Sequence, residues 1–106
     1  MISTDKNKII INSERASLDD RADCEKAIAL LVNLGEKSII IDLSKTVYLP
    51  SEFMGFMMWK KKDLSELNIS LTINAISTSL KRTFDSAMLS DFFGLDDNTQ
   101  VVEANF

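Results

Sequence analysis

A run of three isoleucines restricts the fold of this 106-residue chain more than any other feature, and it lies within Ser38–Leu43. Consecutive β-branched residues favour a strand, because their side chains pack well on a pleated surface. Apolar residues at both odd and even positions are typical of a strand in a parallel sheet with both faces covered. The sequence therefore predicts a strand at Ser38–Leu43 that is buried on both faces.

Segments with helical spacing alternate with short apolar runs along the rest of the chain. Apolar residues recur every three or four positions in segments 20–34, 51–64 and 77–90, which predicts three helices. Strands are predicted at 8–11, 69–75 and 100–102, with a stub at 2–4 joined to the first by a hairpin. This order predicts one α/β domain over 1–106, with a central, mostly parallel or mixed sheet of about four strands flanked by three to four helices.

The same spacing predicts which side chains the helices bury. In the first helix, Asp19 or Asp20 is expected to cap the start and Gly35 to follow the end. Its predicted inner stripe consists of Cys24, Ala27, Ile28, Leu31 and Leu34, and that of the third helix consists of Leu80, Phe84, Ala87 and Met88. Cys24 is the only cysteine, so it forms no internal disulfide, and its place on the stripe favours a small buried hydrophobe over a reactive thiol.

Composition argues against most kinds of catalysis. The chain has no histidine, one cysteine and three widely separated glycines, which removes the most common proton-transfer group, the usual zinc sites and glycine-rich phosphate-binding loops. An active site built only from carboxylates stays open as an alternative, although no motif points to one. Its net charge of −4 argues against a nucleic-acid partner. No apolar run approaches the ~20 residues of a membrane span. We therefore expect a cytoplasmic protein that is not an enzyme, with no cofactor, no metal and no membrane insertion.

The second predicted helix carries more apolar residues than one buried face requires. At 100° per residue, one set falls within about 140° and forms the expected inner face; it consists of Phe53, Met54, Met57, Met58 and Leu64. Phe56 and Trp59 point away from that set, so they are predicted to form a second apolar patch that binds a partner. The alternative is that Phe56 flanks the core and Trp59 lies singly on the surface.

Ser51, at the start of this helix, has two compatible interpretations. Serine is a favoured N-cap, and Pro50 in front of it strengthens that assignment. A helix N-terminus also receives a phosphate well, because its free N–H groups and the helix dipole attract negative charge. Ser51 is therefore both a predicted cap and a candidate phosphorylation site, with Glu52 as a fixed negative charge beside it.

The segment from the isoleucine run to this helix resembles the STAS domain, found in sulfate transporters and anti-sigma-factor antagonists. The family pattern is an apolar strand ending Asp-Leu-Ser, about five residues, and then Asp-Ser-Ser-Gly-Leu-Gly. Residues 42–44 match the strand end, Ser51 matches the phosphorylated serine, and Gly55 matches the last glycine. Supporting matches lie at 18–19, 35–37 and 93–96, whereas Pro50, Glu52 and Phe53 depart from the pattern.

The resemblance implies a bacterial anti-sigma-factor antagonist that acts in signal transduction and transcription regulation. Such a domain binds a serine kinase that also sequesters a sigma factor; phosphorylation blocks binding and a phosphatase restores it. By this resemblance Ser51 is the switch, the surface around it is the docking site, and the chain is a monomer or homodimer. Together with the two aromatic residues singled out by helical spacing, the candidate partner-binding residues are Pro50, Ser51, Glu52, Gly55, Phe56 and Trp59. Two alternatives remain open: a scaffold subunit of a signalling assembly, and an accessory subunit of a lipid transporter.

Overall fold

The computed structural model describes residues 1–103, which form five strands and three helices. In chain order these are β1 (Ile2–Asp5), β2 (Lys8–Ile11), α1 (Leu18–Asn33), β3 (Ser38–Leu43), α2 (Ser51–Ser65), β4 (Ser70–Ser77), α3 (Thr78–Ser86) and β5 (Gln100–Val102). The α/β class and the alternating order predicted from the sequence are confirmed.

The strands lie in the sheet in the same order as in the chain, from β1 to β5. β1 and β2 form an antiparallel hairpin, and every other neighbouring pair is parallel. The hairpin turn contains Lys6 in the left-handed region, with a φ of 55°. The predicted stub at 2–4 is thus a full edge strand, which is why the sheet has five strands where about four were expected.

The helices cover one face of the sheet. Along β2, β3 and β4, one set of alternate side chains is buried in the core: Ile9, Ile11, Ile39, Ile41, Leu43, Leu71 and Ile73. The other set is exposed or half-buried, including Ile40. Right-handed crossovers between successive neighbouring strands place every helix on the same side, so the prediction that β3 is buried on both faces is wrong for Ile40.

Helix α1 begins earlier than predicted, and its cap is a different residue. Ser17 is the N-cap: its hydroxyl accepts from the Asp20 N–H, and the Asp20 carboxylate accepts from the Ser17 N–H, which forms a capping box. Asp20 therefore completes the cap from the third helical position. Gly35 follows the helix with a φ of 85°, as predicted, but Leu34 is 68% exposed because the helical stripe has ended there.

Helix α3 is shorter than predicted. It ends at Ser86, and Met88 lies in the left-handed region with a φ of 59°. Ala87 and Met88 are consequently exposed and do not belong to the inner stripe, whereas Leu80 and Phe84 are buried as expected. The chain then turns back so that Phe93 packs against Phe84, with ring centroids 5.5 Å apart.

Cys24 is fully buried in α1. Burial, with a smaller contribution from the negative charge of Glu25, raises the pKa of its thiol to about 12. A thiol in this state stays protonated at neutral pH, so the interpretation of Cys24 as a buried hydrophobe is confirmed. Within residues 1–103, none of the helices is long and apolar enough to cross a membrane.

Candidate protein-docking site

The loop that presents Ser51 begins at the carboxyl end of β3. There the Asp42 carboxylate accepts hydrogen bonds from the backbone N–H of Ser44, at 2.9 Å, and from its hydroxyl, at 2.6 Å. An aspartate that bonds the backbone two residues later is a turn-forming arrangement. The Asp-Leu-Ser sequence at 42–44 thus has a structural use: it turns the chain out of the sheet.

Two fully buried hydroxyl groups clamp this loop to its neighbours. The Thr46 hydroxyl donates to the carbonyl of Ser13 at 2.9 Å and lies 3.3 Å from the carbonyl of Ile11. The Ser77 hydroxyl donates to the Thr46 carbonyl at 2.6 Å and accepts from the Leu80 N–H at 3.1 Å, which also caps α3. The loops after β2, β3 and β4 are therefore joined by a hydrogen-bond network that excludes water, and such networks hold a single arrangement.

The outer part of the loop is fixed by the segment that leads into α1. The backbone N–H groups of Val47 and Tyr48 donate to the Glu14 carbonyl, and the Ala16 N–H donates to the Tyr48 carbonyl at 3.0 Å. The Arg15 guanidinium lies over the half-exposed Tyr48 ring, 4.6 Å from its centroid. Tyr48 and Arg15 thus lie together on the exposed side of the loop that leads to α2.

Ser51 is the first residue of α2 and is exposed. The N-cap position belongs to Pro50, whose carbonyl accepts from the Phe53 and Met54 N–H groups at 2.9 and 3.0 Å. The prediction that Ser51 itself is the N-cap is therefore wrong. Its hydroxyl is free of that role and lies at the positive end of the helix dipole, where Glu52 is also favourably placed.

Along the next two turns of α2, the exposed side is formed by Glu52, Gly55 and Trp59. These residues are three and four positions apart, so they follow one another along a single stripe. Trp59 is 58% exposed, and the Lys60 ammonium lies 4.9 Å from its ring centroid. The prediction that Trp59 points away from the core is confirmed.

Phe56 does not belong to this exposed stripe. Its side chain is only 8% exposed and is part of the core, with its ring edge-to-face against Phe53 at 6.2 Å. The Arg21 guanidinium of α1 lies 5.4 Å from the Phe56 ring centroid and covers its outer side. The prediction that Phe56 and Trp59 form a second apolar patch is therefore wrong. The alternative holds, in which Phe56 flanks the core and Trp59 lies singly on the surface.

The inner face of α2 agrees with the sequence spacing. Phe53, Met57 and Leu64 are buried, and Met54 and Met58 are half-buried against the same core. The exposed stripe therefore lies on a helix whose opposite side packs against the core.

Neither protein-family models nor curated protein sequences give a match to this chain. In the part of the chain that the structure describes, no three His, Cys, Asp or Glu side chains are grouped to hold a metal ion. The site therefore offers a loop fixed by buried hydrogen bonds, an exposed serine at a helix start, and an exposed helix stripe with one large aromatic side chain.

Proposed function

We propose that this chain is a protein-binding switch of the anti-sigma-factor-antagonist type, which docks its partner on the exposed stripe of α2. The observation that carries the proposal is the pairing of Gly55 with Trp59 on that stripe, one helical turn apart. The fold itself leaves open space for a side chain at Gly55, and the Trp59 indole is mostly exposed. Both features would be used if another protein packed against the helix.

Gly55 is an unfavourable residue for its position. It lies inside a helix, where glycine costs roughly 0.5–1 kcal/mol of stability relative to alanine. A Cβ atom added there would meet no heavy atom within 4 Å, so the fold itself does not require glycine. A missing side chain on an exposed helix does allow another backbone to approach closely.

Trp59 supplies the complementary feature, a large aromatic group beside that gap. Tryptophan is enriched among the few residues that dominate binding energies in protein interfaces. Here the indole is mostly in water, and its exposed surface adjoins the side of the helix that Gly55 leaves open. In the proposed interface, the partner's backbone approaches the helix at Gly55 and its side chains pack on the Trp59 indole.

Ser51 gives this surface a means of control. A phosphate there would add about −1.5 to −2 charges at neutral pH. Glu52 is next to it, so the two negative groups would together change the charge at one end of the stripe. The buried clamp through Thr46 and Ser77 fixes the loop behind Ser51, so phosphorylation is expected to act by charge at the interface without unfolding the loop.

The test is capture of partners by the immobilised chain from a lysate of its source cells, with quantitative mass spectrometry. A true partner is retained by the wild-type chain and lost with Trp59→Ala and with Ser51→Asp. Leu30→Ala is the matched control, because Leu30 lies on another helix and is 57% exposed, close to the 58% of Trp59. If no protein distinguishes the Trp59 variant from the Leu30 variant, the proposed docking stripe is wrong.

A further inference from the structure

The face of the sheet opposite the helices is uncovered. Within residues 1–103, the three helices lie on one side of the sheet, and neither a helix nor a second sheet packs on the other. Apart from the β1–β2 hairpin, every neighbouring strand pair is parallel. Parallel strands are usually covered on both faces, because the helices that connect them lie on both sides. The open face is therefore a candidate for burial against another molecule.

Strand register places two isoleucines and two opposite charges together at the centre of this face. Lys8 of β2 is paired with Ile40 of β3, and Ile10 of β2 is paired with Asp42 of β3. Residues two apart in a strand share a face, so the four side chains form a rectangle. The isoleucines lie on one diagonal of the rectangle and the charged residues on the other. All four residues are half-buried, and we call them the central rectangle.

The two charged residues of the central rectangle are available for an ion pair. In the described part of the chain, neither Lys8 nor Asp42 forms a salt bridge. The Asp42 carboxylate accepts both of its hydrogen bonds from Ser44 through one oxygen, Oδ1. A carboxylate offers about four acceptor sites, so it can accept more. Asp5, opposite Lys8 on the edge strand β1, lies at the rim of the face.

We propose that the open face binds a second copy of this chain about a two-fold axis that runs along the isoleucine diagonal. Rotation about this axis exchanges the two charged corners, so Lys8 of each copy lies over Asp42 of the other. Ile10 and Ile40 pack on their own symmetry mates. Such an interface is isologous, since each contact between unlike residues occurs twice.

The register also fixes how the two sheets cross. The central rectangle measures roughly 4.8 by 6.7 Å, so its diagonal is inclined about 35° to the strands. The strands of the two copies then cross at about 70°, nearer the orthogonal than the aligned class of sheet packing.

Charge favours a second copy over a partner with a surface of one sign. Such a surface would pair with either Lys8 or Asp42 and would leave the other charge without a partner beside the isoleucines, which is costly. The second copy supplies both signs at matching positions by symmetry. Because α2 lies on the opposite side of the sheet, its exposed stripe remains accessible in both copies. The inference therefore does not depend on the proposed function.

The size of the face sets the strength of the dimer. Five strands at a spacing of about 4.8 Å, with an average length of about 17 Å, give a flat area on the order of 400 Å² per copy. Stable dimers bury about 800 Å² per partner. The proposed dimer is therefore weak and reversible, with an expected Kd of roughly 100 µM.

Sedimentation velocity and two-dimensional NMR of the full chain test the proposal, at concentrations from about 10 µM to about 1 mM. The sedimentation coefficient should rise with concentration, and the amide resonances of Ile10 and Ile40 should shift over the same range while those of α2 stay fixed. A chain that stays monomeric at the highest concentration would overturn the proposal, as would concentration-dependent shifts confined to the helices.

Charge variants test the predicted corner contacts. Lys8→Glu should weaken dimerisation about tenfold, because symmetry converts two ion pairs into two like-charge contacts. Lys26→Glu, on exposed α1 surface, changes the net charge equally and should leave the affinity unchanged. A mixture of Lys8→Glu with Asp42→Lys should recover the wild-type affinity, since each corner contact again joins opposite charges. Equal effects of Lys8→Glu and Lys26→Glu would refute the predicted contacts.

Zero-length carbodiimide crosslinking of the wild-type chain decides the matter if Asp42→Lys does not fold. Unlabelled and ¹⁵N-labelled chains are mixed, crosslinked and analysed by mass spectrometry. A crosslink between Lys8 and Asp42 that joins one labelled and one unlabelled peptide supports the two-fold arrangement. Crosslinks at Lys8 that join only peptides with the same label would contradict it.

Discussion

Replacing Gly55 with alanine is expected to stabilise the chain and to weaken partner binding. Gly55 lies in the second turn of α2, and a Cβ atom there enters open space, so the substitution introduces no clash. The gain is the difference in helix propensity, about 1 kcal/mol, since alanine loses less backbone entropy on folding. For a domain of this size that corresponds to a rise in Tm of roughly 4 °C.

Urea and thermal denaturation followed by circular dichroism measure this change. Gly35→Ala and Gly94→Ala are the matched controls, because their φ values of 85° and 69° lie in the left-handed region. There an added Cβ costs about 1–2 kcal/mol. A Gly55→Ala variant that is less stable than wild type would show that the fold requires this glycine. A variant that is more stable but binds the captured partner normally would refute the assignment of Gly55 to the interface.

Three further predictions concern caps, the thiol and acid stability. Ser51→Ala should change the free energy of unfolding by less than about 0.5 kcal/mol. Ser17→Ala removes a capping hydrogen bond and should lower it by about 1 kcal/mol. Equal losses of stability in urea denaturation would contradict the cap assignment. The buried Cys24 thiol, with its pKa raised to about 12, should react with a disulfide reagent only after unfolding, and immediate reaction of the native chain would refute its burial. Burial opposes ionisation of Asp20, but hydrogen bonds from the N-terminal ammonium, the Ser17 N–H and Ser13 outweigh it and lower the pKa. The stabilisation from Asp20 is thus present above about pH 4 and is lost as pH falls through the folded-state pKa. Asp20→Asn should therefore reduce the loss of stability in acid. Parallel curves of unfolding free energy against pH for the two proteins would contradict this.

Patterns set by local geometry could be read from the sequence. The isoleucine run correctly predicted the position of β3, because consecutive β-branched residues between two turn signals strongly favour a strand. Gly35 marked the end of α1 because its left-handed φ is costly for other residues. The burial of Met57 and the exposure of Trp59 followed from helical spacing alone.

Features that depend on tertiary neighbours could not be read in this way. A helical projection places Phe56 on the side of Trp59, but Arg21 of α1 covers its ring in the fold. Met88 does not belong to the predicted stripe because α3 ends before it in a left-handed turn. That turn contains no glycine, the residue that usually marks the end of a helix in a sequence. β3 buries only one face because of the order of the strands in the sheet. The spacing of apolar residues within a single strand carries no information about that order.

The hydrogen-bonded clamp was also missed. Thr46 and Ser77 are 31 positions apart, and each is an ordinary polar residue beside an apolar run. Only Ser77 carried a signal, since a serine directly before a helical segment is a typical cap. The sequence predicted that segment 77–90 is helical but not that the Ser77 hydroxyl also holds the Ser51 loop.

The most direct test of the α2 docking stripe is ¹⁹F NMR of the chain labelled with 5-fluorotryptophan. Trp59 is the only tryptophan, so one resonance reports on the proposed anchor even when the partner contains tryptophan. On titration with a partner recovered by capture, that resonance should shift and lose its sensitivity to solvent D₂O as the indole is buried. Trp59→Ala should weaken the same binding by about 2 kcal/mol or more, roughly 30-fold in Kd. A saturated complex in which the resonance keeps its free position and its solvent sensitivity would contradict the account.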